Sequence, residues 1–191
     1  MHDRRFQGDI NCLRNPERLE RLELNRVVSI ATEGASFHRI LDIGTGSGIF
    51  AEAFYQHGFE TVGIDANPEF ISLAKELTPQ VLFMEGLAEA LPFPDKSFDL
   101  VFMGLVFHET DNRLKALQEA HRVARFRVAI LEWPYLIQES GPPIAHRISR
   151  EELSRLADQT GFSQTEIFEL AHFLLYRLDK NKLHPSLKLS Q

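Results

Sequence analysis

Two carboxylates and three glycines carry the most specific chemical signal in this chain. Asp42 stands two residues before Gly44 in the run Gly44-Thr45-Gly46-Ser47-Gly48. Asp65 follows about twenty residues further on, at the end of the apolar run 60–64. Glycines let the backbone approach a ligand where no Cβ intrudes, and a turn of this kind aims free N–H groups at it, so the loop suits a ligand with a negative group. A carboxylate at the tip of the second strand can accept both hydroxyls of a ribose. The competing readings are plainer: a tight strand-to-helix turn for the glycines, and a helix N-cap for Asp65. A third candidate is His108, in Phe107-His108-Glu109, as a general base or an orienting group for a substrate. Its alternative is a histidine hydrogen-bonded in place.

These residues need a scaffold that puts strand ends side by side, and the periodicities supply one. Asn15-Pro16-Glu17 is a helix start, with a capping side chain and a proline whose missing N–H costs nothing in the first turn. Leu19, Leu22, Val27, Ile30 and Ala31 continue near the helical period to Gly34, which predicts one helix over 15–34. Strand and helix patterns then alternate: a strand at 39–43, a helix at 49–57 stopped by Gly58, a strand at 60–64, and a helix opened by Asn67-Pro68. Strands at 81–85 and 98–103 follow, divided by a turn region with Pro92, Pro94 and Asp95. Leu114, Leu117 and Ala120 mark a helix, and 128–132 a buried strand that Pro134 ends. Ser149 with Glu152 forms a capping box, and Gly161 closes that helix. The strand-like runs 163–170 and 172–177 are joined with almost no linker, so they must pair antiparallel.

The architecture predicted is α/β: a doubly wound, mostly parallel seven-stranded sheet ending in an antiparallel hairpin. One domain over 1–191 is expected, with the helix at 15–34, a core at 39–177 and a polar tail at 181–191. The balance of 21 basic against 27 acidic residues leaves no footprint for nucleic acid. Cys12 stands alone, which excludes an internal disulfide framework and a multi-cysteine metal site and suits a reducing cytoplasm. No run approaches the roughly 18 apolar residues of a membrane span, and the first fifteen residues lack the apolar core of a secretory segment.

The glycine spacing separates two ligand classes. Dinucleotide binders need G-x-G-x-x-G, and Ile49 occupies the last glycine's position here. The run Leu41-Asp42-Ile43-Gly44-Thr45-Gly46-Ser47-Gly48 instead resembles the first motif of class I S-adenosylmethionine-dependent methyltransferases. Val62-Gly63-Ile64-Asp65-Ala66-Asn67-Pro68 is similar to that family's second-strand motif. The stretch 85–93 is similar to its adenine segment and Ser97-Phe98-Asp99-Leu100-Val101 to its fourth strand. The resemblance covers roughly 41–177 and implies S-adenosylmethionine as cofactor. It also implies a donor site made of Asp42, Gly44, Thr45, Gly46, Gly48, Asp65, Ala66, Leu87, Ala88 and Gly104. Within it Gly44 and Gly46 meet the methionine end, Asp42 joins its amino-group network, Asp65 holds the ribose and the Ala88 amide faces adenine. Leu87 departs from the pattern, standing where many relatives carry an aspartate for the adenine amino group. Glu89, backbone or water must then serve that group.

Methyl transfer from a sulfonium is an in-line displacement with an activated leaving group, so the protein chiefly positions donor and acceptor. A base is needed only for an acceptor that loses a proton, and His108, at the carboxyl end of the sheet, is the catalytic candidate. The long connection Glu132-Trp133-Pro134-Tyr135 through Gly141 to His146 and Arg147 is expected to cover the acceptor pocket, with Trp133 and Tyr135 alternatively packing beneath it. Short insertions leave little room for a substrate domain, so a small-molecule acceptor is expected. The resemblance to quinone-biosynthesis methyltransferases favours carbon or oxygen. Neither a metal nor a nucleic-acid partner is expected, nor a membrane span. Two rivals are a non-catalytic S-adenosylmethionine-binding protein and, disfavoured by Ile49, a nicotinamide-dependent oxidoreductase.

Overall fold

A computed structural model describes residues 13–138 and 140–181. Cys12 and most of the tail at 181–191 lie outside the described residues. The chain runs α1 (Pro16–Arg21), α2 (Leu24–Thr32), β1 (Arg39–Ile43), α3 (Ile49–Gln56), β2 (Glu60–Asp65), α4 (Pro68–Leu77) and β3 (Leu82–Glu85). It continues through β4 (Phe98–Gly104), a 3-10 turn (Phe107–Glu109), α5 (Arg113–Val123), β5 (Ala124–Glu132), α6 (Arg150–Thr160), β6 (Gln164–Glu169) and β7 (Leu174–Asp179).

The seven strands form one sheet in the order β3-β2-β1-β4-β5-β7-β6. β1 to β5 pair in parallel, and β7 is antiparallel to both β5 and β6, as the near-absent linker at 170–172 requires. Central strands of such a sheet are covered on both faces, which is why β4 reads as an almost unbroken apolar run and is buried from Phe98 to Met103. Alternation along the strands divides the core. Leu41, Ile43, Val101 and Met103 face α5 and α6. Ile40, Leu100 and Phe102 face α2 and α3, where Phe54 and Phe102 meet edge to face at 5.2 Å. Asp42 follows Ile40 onto that second face by the strand period.

The helices start where capping chemistry places them. The Asn15, Asn67 and Ser149 side chains accept the amides of Glu17, Glu69 and Glu152. Gly161 closes α6 at φ 94°, a left-handed position that suits glycine.

The single helix expected over 15–34 is instead two. Glu23 takes a left-handed conformation, φ 47°, and breaks the chain between α1 and α2. Its carboxylate accepts the Ala171 amide from the distant β6–β7 turn and pairs with Arg26, while Leu22 is driven fully inside. Tertiary contact thus overrides helical continuity. β5 also begins earlier than expected, at Ala124, because Arg127 is buried: its guanidinium is forked onto Asp179 of β7 and donates to the carbonyls of Ala31 and Glu33. That bond set also ties the C-terminal end of α2 to the sheet. No helix among the described residues is long and apolar enough to cross a membrane.

Candidate functional site

In an open α/β sheet the ligand crevice opens at the carboxyl ends of the strands where the strand order reverses. Here that point lies between β1 and β4. A cavity of about 350 Å³ occupies it, bounded by the loops after β1, β2, β3 and β4.

The first wall is the glycine loop. Gly44, Gly46 and Gly48 all have positive φ, so the turn is one that side-chain-bearing residues resist. Gly44 has a second reason, since a Cβ there would lie 2.2 Å from Cγ2 of Val106 on the opposite wall. The loop is pinned from beneath: the Gly44 and Thr45 amides donate to the Ile64 carbonyl, and the Thr45 hydroxyl donates to Asp42 Oδ2 at 2.6 Å. Asp65 ties it from the side, its Oδ2 accepting the Gly46 amide at 2.8 Å and its Oδ1 accepting the Asn67 amide at 2.9 Å. The cap of α4 is Asn67, so Asp65 is not that helix's N-cap; its carboxylate joins two cavity loops.

Of the residues predicted for the donor, Gly44, Thr45, Gly46, Asp65, Ala66, Leu87, Ala88 and Gly104 line the cavity together. Asp42 and Gly48 do not. Asp42 is buried below the loop, where burial, with a smaller push from Asp65, drives its pKa up to about 7 against the hydroxyl of Thr45 and the amide of Ala51. It acts on the site through Thr45. Gly48 serves packing instead, as a Cβ there would crowd Phe83 at 2.9 Å and Ala74 at 3.3 Å. Glu89 lines the cavity, yet its Oε1 accepts the amides of Asp111 and Asn112 and so fixes the start of α5.

His108 sits behind the wall. Its side chain is buried, with Nδ1 at 3.0 and 2.9 Å from the two oxygens of Glu132, itself fully buried at the end of β5. A carboxylate only accepts, so Nδ1 carries the proton. Burial opposes charging of the ring, but Glu132, helped by Glu109, outweighs it and holds His108 above its ordinary value. Its neighbours Glu109, Thr110 and Asp111 form the wall.

Among the described residues, none of the connection after β5 lines the cavity. Arg147, at the end of the connection expected to cover the acceptor pocket, is buried and donates to the carbonyls of Pro134, Leu136, Ser140 and Pro142 and to Gln138 Oε1, folding the segment onto itself. Trp133 packs beneath it, 4.8 Å from Phe173 and under the Arg147 guanidinium. Tyr135 is exposed, and His146 contributes its carbonyl to Arg113.

The cover comes from the N-terminal region, which sequence reasoning left without a role. Leu13, Arg18 and Leu22 line the cavity, and Arg14 clamps the segment by donating to the Ser47 carbonyl and pairing with Glu52 of α3. The signal was present in the capped helix start at Asn15-Pro16, immediately ahead of the core, with Leu13 and Leu22 flanking it.

A nucleoside donor fits this construction on structural grounds. Asp65 at the tip of β2 lines the cavity, and the Ser47 hydroxyl, in the cavity wall, is buried without a hydrogen-bond partner among the described residues.

Comparisons with known proteins agree with the geometry. Residues 41–127 match a methyltransferase domain family. The chain is 39% identical over 93 residues to an uncharacterized methyltransferase, YcgJ, of Bacillus subtilis, covering 46% of this chain and 37% of that one. It is 34% identical over 94 residues to a demethylmenaquinone methyltransferase of Chlorobaculum tepidum, covering 49% and 39%. The chain thus spans under two fifths of these two relatives. An Aquifex aeolicus SAM-dependent methyltransferase of known structure superposes with a TM-score of 0.82 at 25% identity, covering 92% of this chain and 100% of that one. Motif order, sheet order and cavity agree with these likenesses, and together they support a class I S-adenosylmethionine-dependent methyltransferase with S-adenosylmethionine as its cofactor.

Proposed function

We propose that this protein transfers the methyl group of S-adenosylmethionine to a small organic molecule. The observation that carries the reading is the cavity itself. One wall joins Gly44, Gly46, Asp65 and Ala88, while the other, built from Leu105, Val106 and Glu109 to Asp111 with Leu13 and Leu22, offers both apolar and hydrogen-bonding surface to a second reactant.

S-adenosylmethionine supplies a methyl group already activated by the sulfonium charge, so the residues here bind, orient and exclude water. The Ser47 hydroxyl, buried in the cavity wall without a hydrogen-bond partner among the described residues, suits the carboxylate of the methionine end. Ionised Asp42 favours a cation above Thr45. The Asp65 carboxylate suits ribose hydroxyls, as each of its oxygens accepts more than one bond. The Ala88 amide and exposed side chain of Leu87 offer an edge and an apolar face for adenine. The α1 segment roofs the cavity, and a roofed site holds the two reactants in line and strengthens every electrostatic contact inside it.

A small acceptor accords with the cavity's volume and with relatives named as demethylmenaquinone methyltransferases. Their name favours a carbon nucleophile on a quinol-like ring. The test is calorimetry with S-adenosylmethionine and S-adenosylhomocysteine, followed by transfer of a labelled methyl group into a metabolite extract. Binding of both with label appearing in a low-mass product is expected. Preference for NAD would overturn the donor assignment, and donor binding without any transfer would establish the non-catalytic alternative.

A further inference from the structure

Neither residue of the buried pair His108–Glu132 lines the cavity, and a carboxylate fully removed from water is costly unless an opposite charge and hydrogen bonds compensate it. What it does is visible in its bonds. Glu132 Oε1 accepts the His108 amide at 2.9 Å, and Oε2 accepts the Trp133 amide at 3.1 Å, so one carboxylate fixes the backbone of both the 3-10 turn and the end of β5. The turn is closed at its other end by Thr110, whose hydroxyl donates to the Phe107 carbonyl at 2.8 Å. With Nδ1 committed to Glu132, the other ring nitrogen, Nε2, faces forward and lies 3.8 Å from Glu109 Oε1. Glu109 reaches the cavity, beside Thr110 and Asp111, and is the carboxylate there that His108 approaches.

From this chain of contacts, and resting on the methyltransferase reading above, we infer that Glu109 is the acceptor-recognition residue. Its carboxylate faces the position of the transferable methyl group and selects acceptors that present an N–H or O–H there, while Glu132 and His108 position it. The arrangement suits that task. Glu109 sits on the wall formed after β4, across the cavity from the glycine loop, and Arg18 and Asp111 share its rim. Burial opposes charging of the imidazole behind it, but Glu132, with Glu109 contributing and Arg113 opposing, holds it toward its charged form. A ring held toward its charged form 3.8 Å from Glu109 Oε1 attracts that carboxylate without a hydrogen bond, so it orients Glu109 by charge. His108 is then a positioning residue, not a base that touches the reactants.

Two donor analogues test this without an identified acceptor. S-adenosylhomocysteine lacks any group at the methyl position, whereas sinefungin carries a protonated amine there. Calorimetry should show that Glu109→Gln weakens sinefungin at least tenfold while S-adenosylhomocysteine stays within about twofold of wild type. His108→Gln should weaken sinefungin selectively and by less, and Glu109→Asp should restore part of the loss. Imidazole NMR of Glu109→Gln should show the His108 titration moving to lower pH in a folded protein. Equal effects of Glu109→Gln on both analogues would overturn the assignment, as would an unmoved His108 titration. If wild type binds neither analogue, the donor reading itself falls and this assignment with it.

Discussion

Asp42→Asn isolates the cost of a carboxylate buried beneath the glycine loop. Burial, with a smaller contribution from Asp65, raises the Asp42 pKa from 3.8 to about 7. Between those values the folded protein holds a proton that the unfolded chain has released. A folded-state pKa raised in this way makes stability greatest below pH 3.8 and erodes it as the pH climbs toward 7, after which the loss is complete. About three pKa units at 1.36 kcal/mol each set the loss at about 4 kcal/mol for this group. Asparagine keeps an acceptor for the Thr45 hydroxyl and cannot ionise. The difference in unfolding free energy between variant and wild type, from urea titrations at several pH values from 4 to 8, should therefore move in the variant's favour by up to about 4 kcal/mol and level off above pH 7. Every other titrating group is common to both proteins and cancels. A difference that stays constant with pH would show that Asp42 is ionised at little cost in the fold, and the account of the loop's underside would be wrong. Ligand binding gives a second handle: a cationic donor over Thr45 favours ionised Asp42, so wild-type affinity should rise through pH 7 and the variant's should not.

The remaining predictions concern the loop's flank and the segment behind the site. Asp65→Ala should weaken S-adenosylhomocysteine binding by about 1.5–3 kcal/mol, the usual worth of hydrogen bonds to a charged acceptor, and should lower the melting temperature of the unliganded protein because the Gly46 and Asn67 amides lose their partner. Unchanged affinity in calorimetry would remove Asp65 from the donor site. Arg147→Lys replaces a five-donor fork with three donors, leaving part of its carbonyl set unmet. A loss of about 2 kcal/mol, or a melting temperature about 4–8 °C lower, is expected together with faster proteolysis within 134–146. Donor affinity should not change, and a large drop in it would put this connection at the cavity after all.

The parts of the fold legible in the sequence are those set by local chemistry. β1 and the glycine turn follow from an apolar run meeting three glycines, and α4 and α6 follow from Asn67-Pro68 and Ser149. The antiparallel β7 follows from a connection too short for anything else. What was not legible depends on partners far along the chain. Glu23 is an ordinary helix former until the Ala171 amide, 148 residues away, takes its carboxylate and the helix breaks. Arg125 and Arg127 argue against a strand until Asp179, 52 residues beyond Arg127, neutralises the buried one, and β5 then extends back to Ala124. Aromatic residues and a long loop made the segment after β5 look like a lid, but Arg147 can satisfy its carbonyls internally, and a segment so bonded has no need to lie over a ligand.

The same logic explains why the sequence pointed to His108 when the cavity is met by its neighbour. A histidine at the end of β4 is the natural choice by chemistry, since its ordinary pKa lies near neutrality and a base is wanted there. Position along the chain, however, does not tell which of two adjacent side chains in a 3-10 turn points outward. That is decided by Glu132, 24 residues later and buried, which must find donors. It takes the His108 amide and ring together, and this choice turns the next side chain to the cavity. A buried acid at the end of a strand, facing a histidine at the end of the adjacent strand, is therefore better read as a brace than as a catalytic pair. The register shows why the two meet: β4 and β5 are neighbours with Gly104 opposite Leu131, so Glu132 and the turn after Gly104 lie at the same level of the sheet.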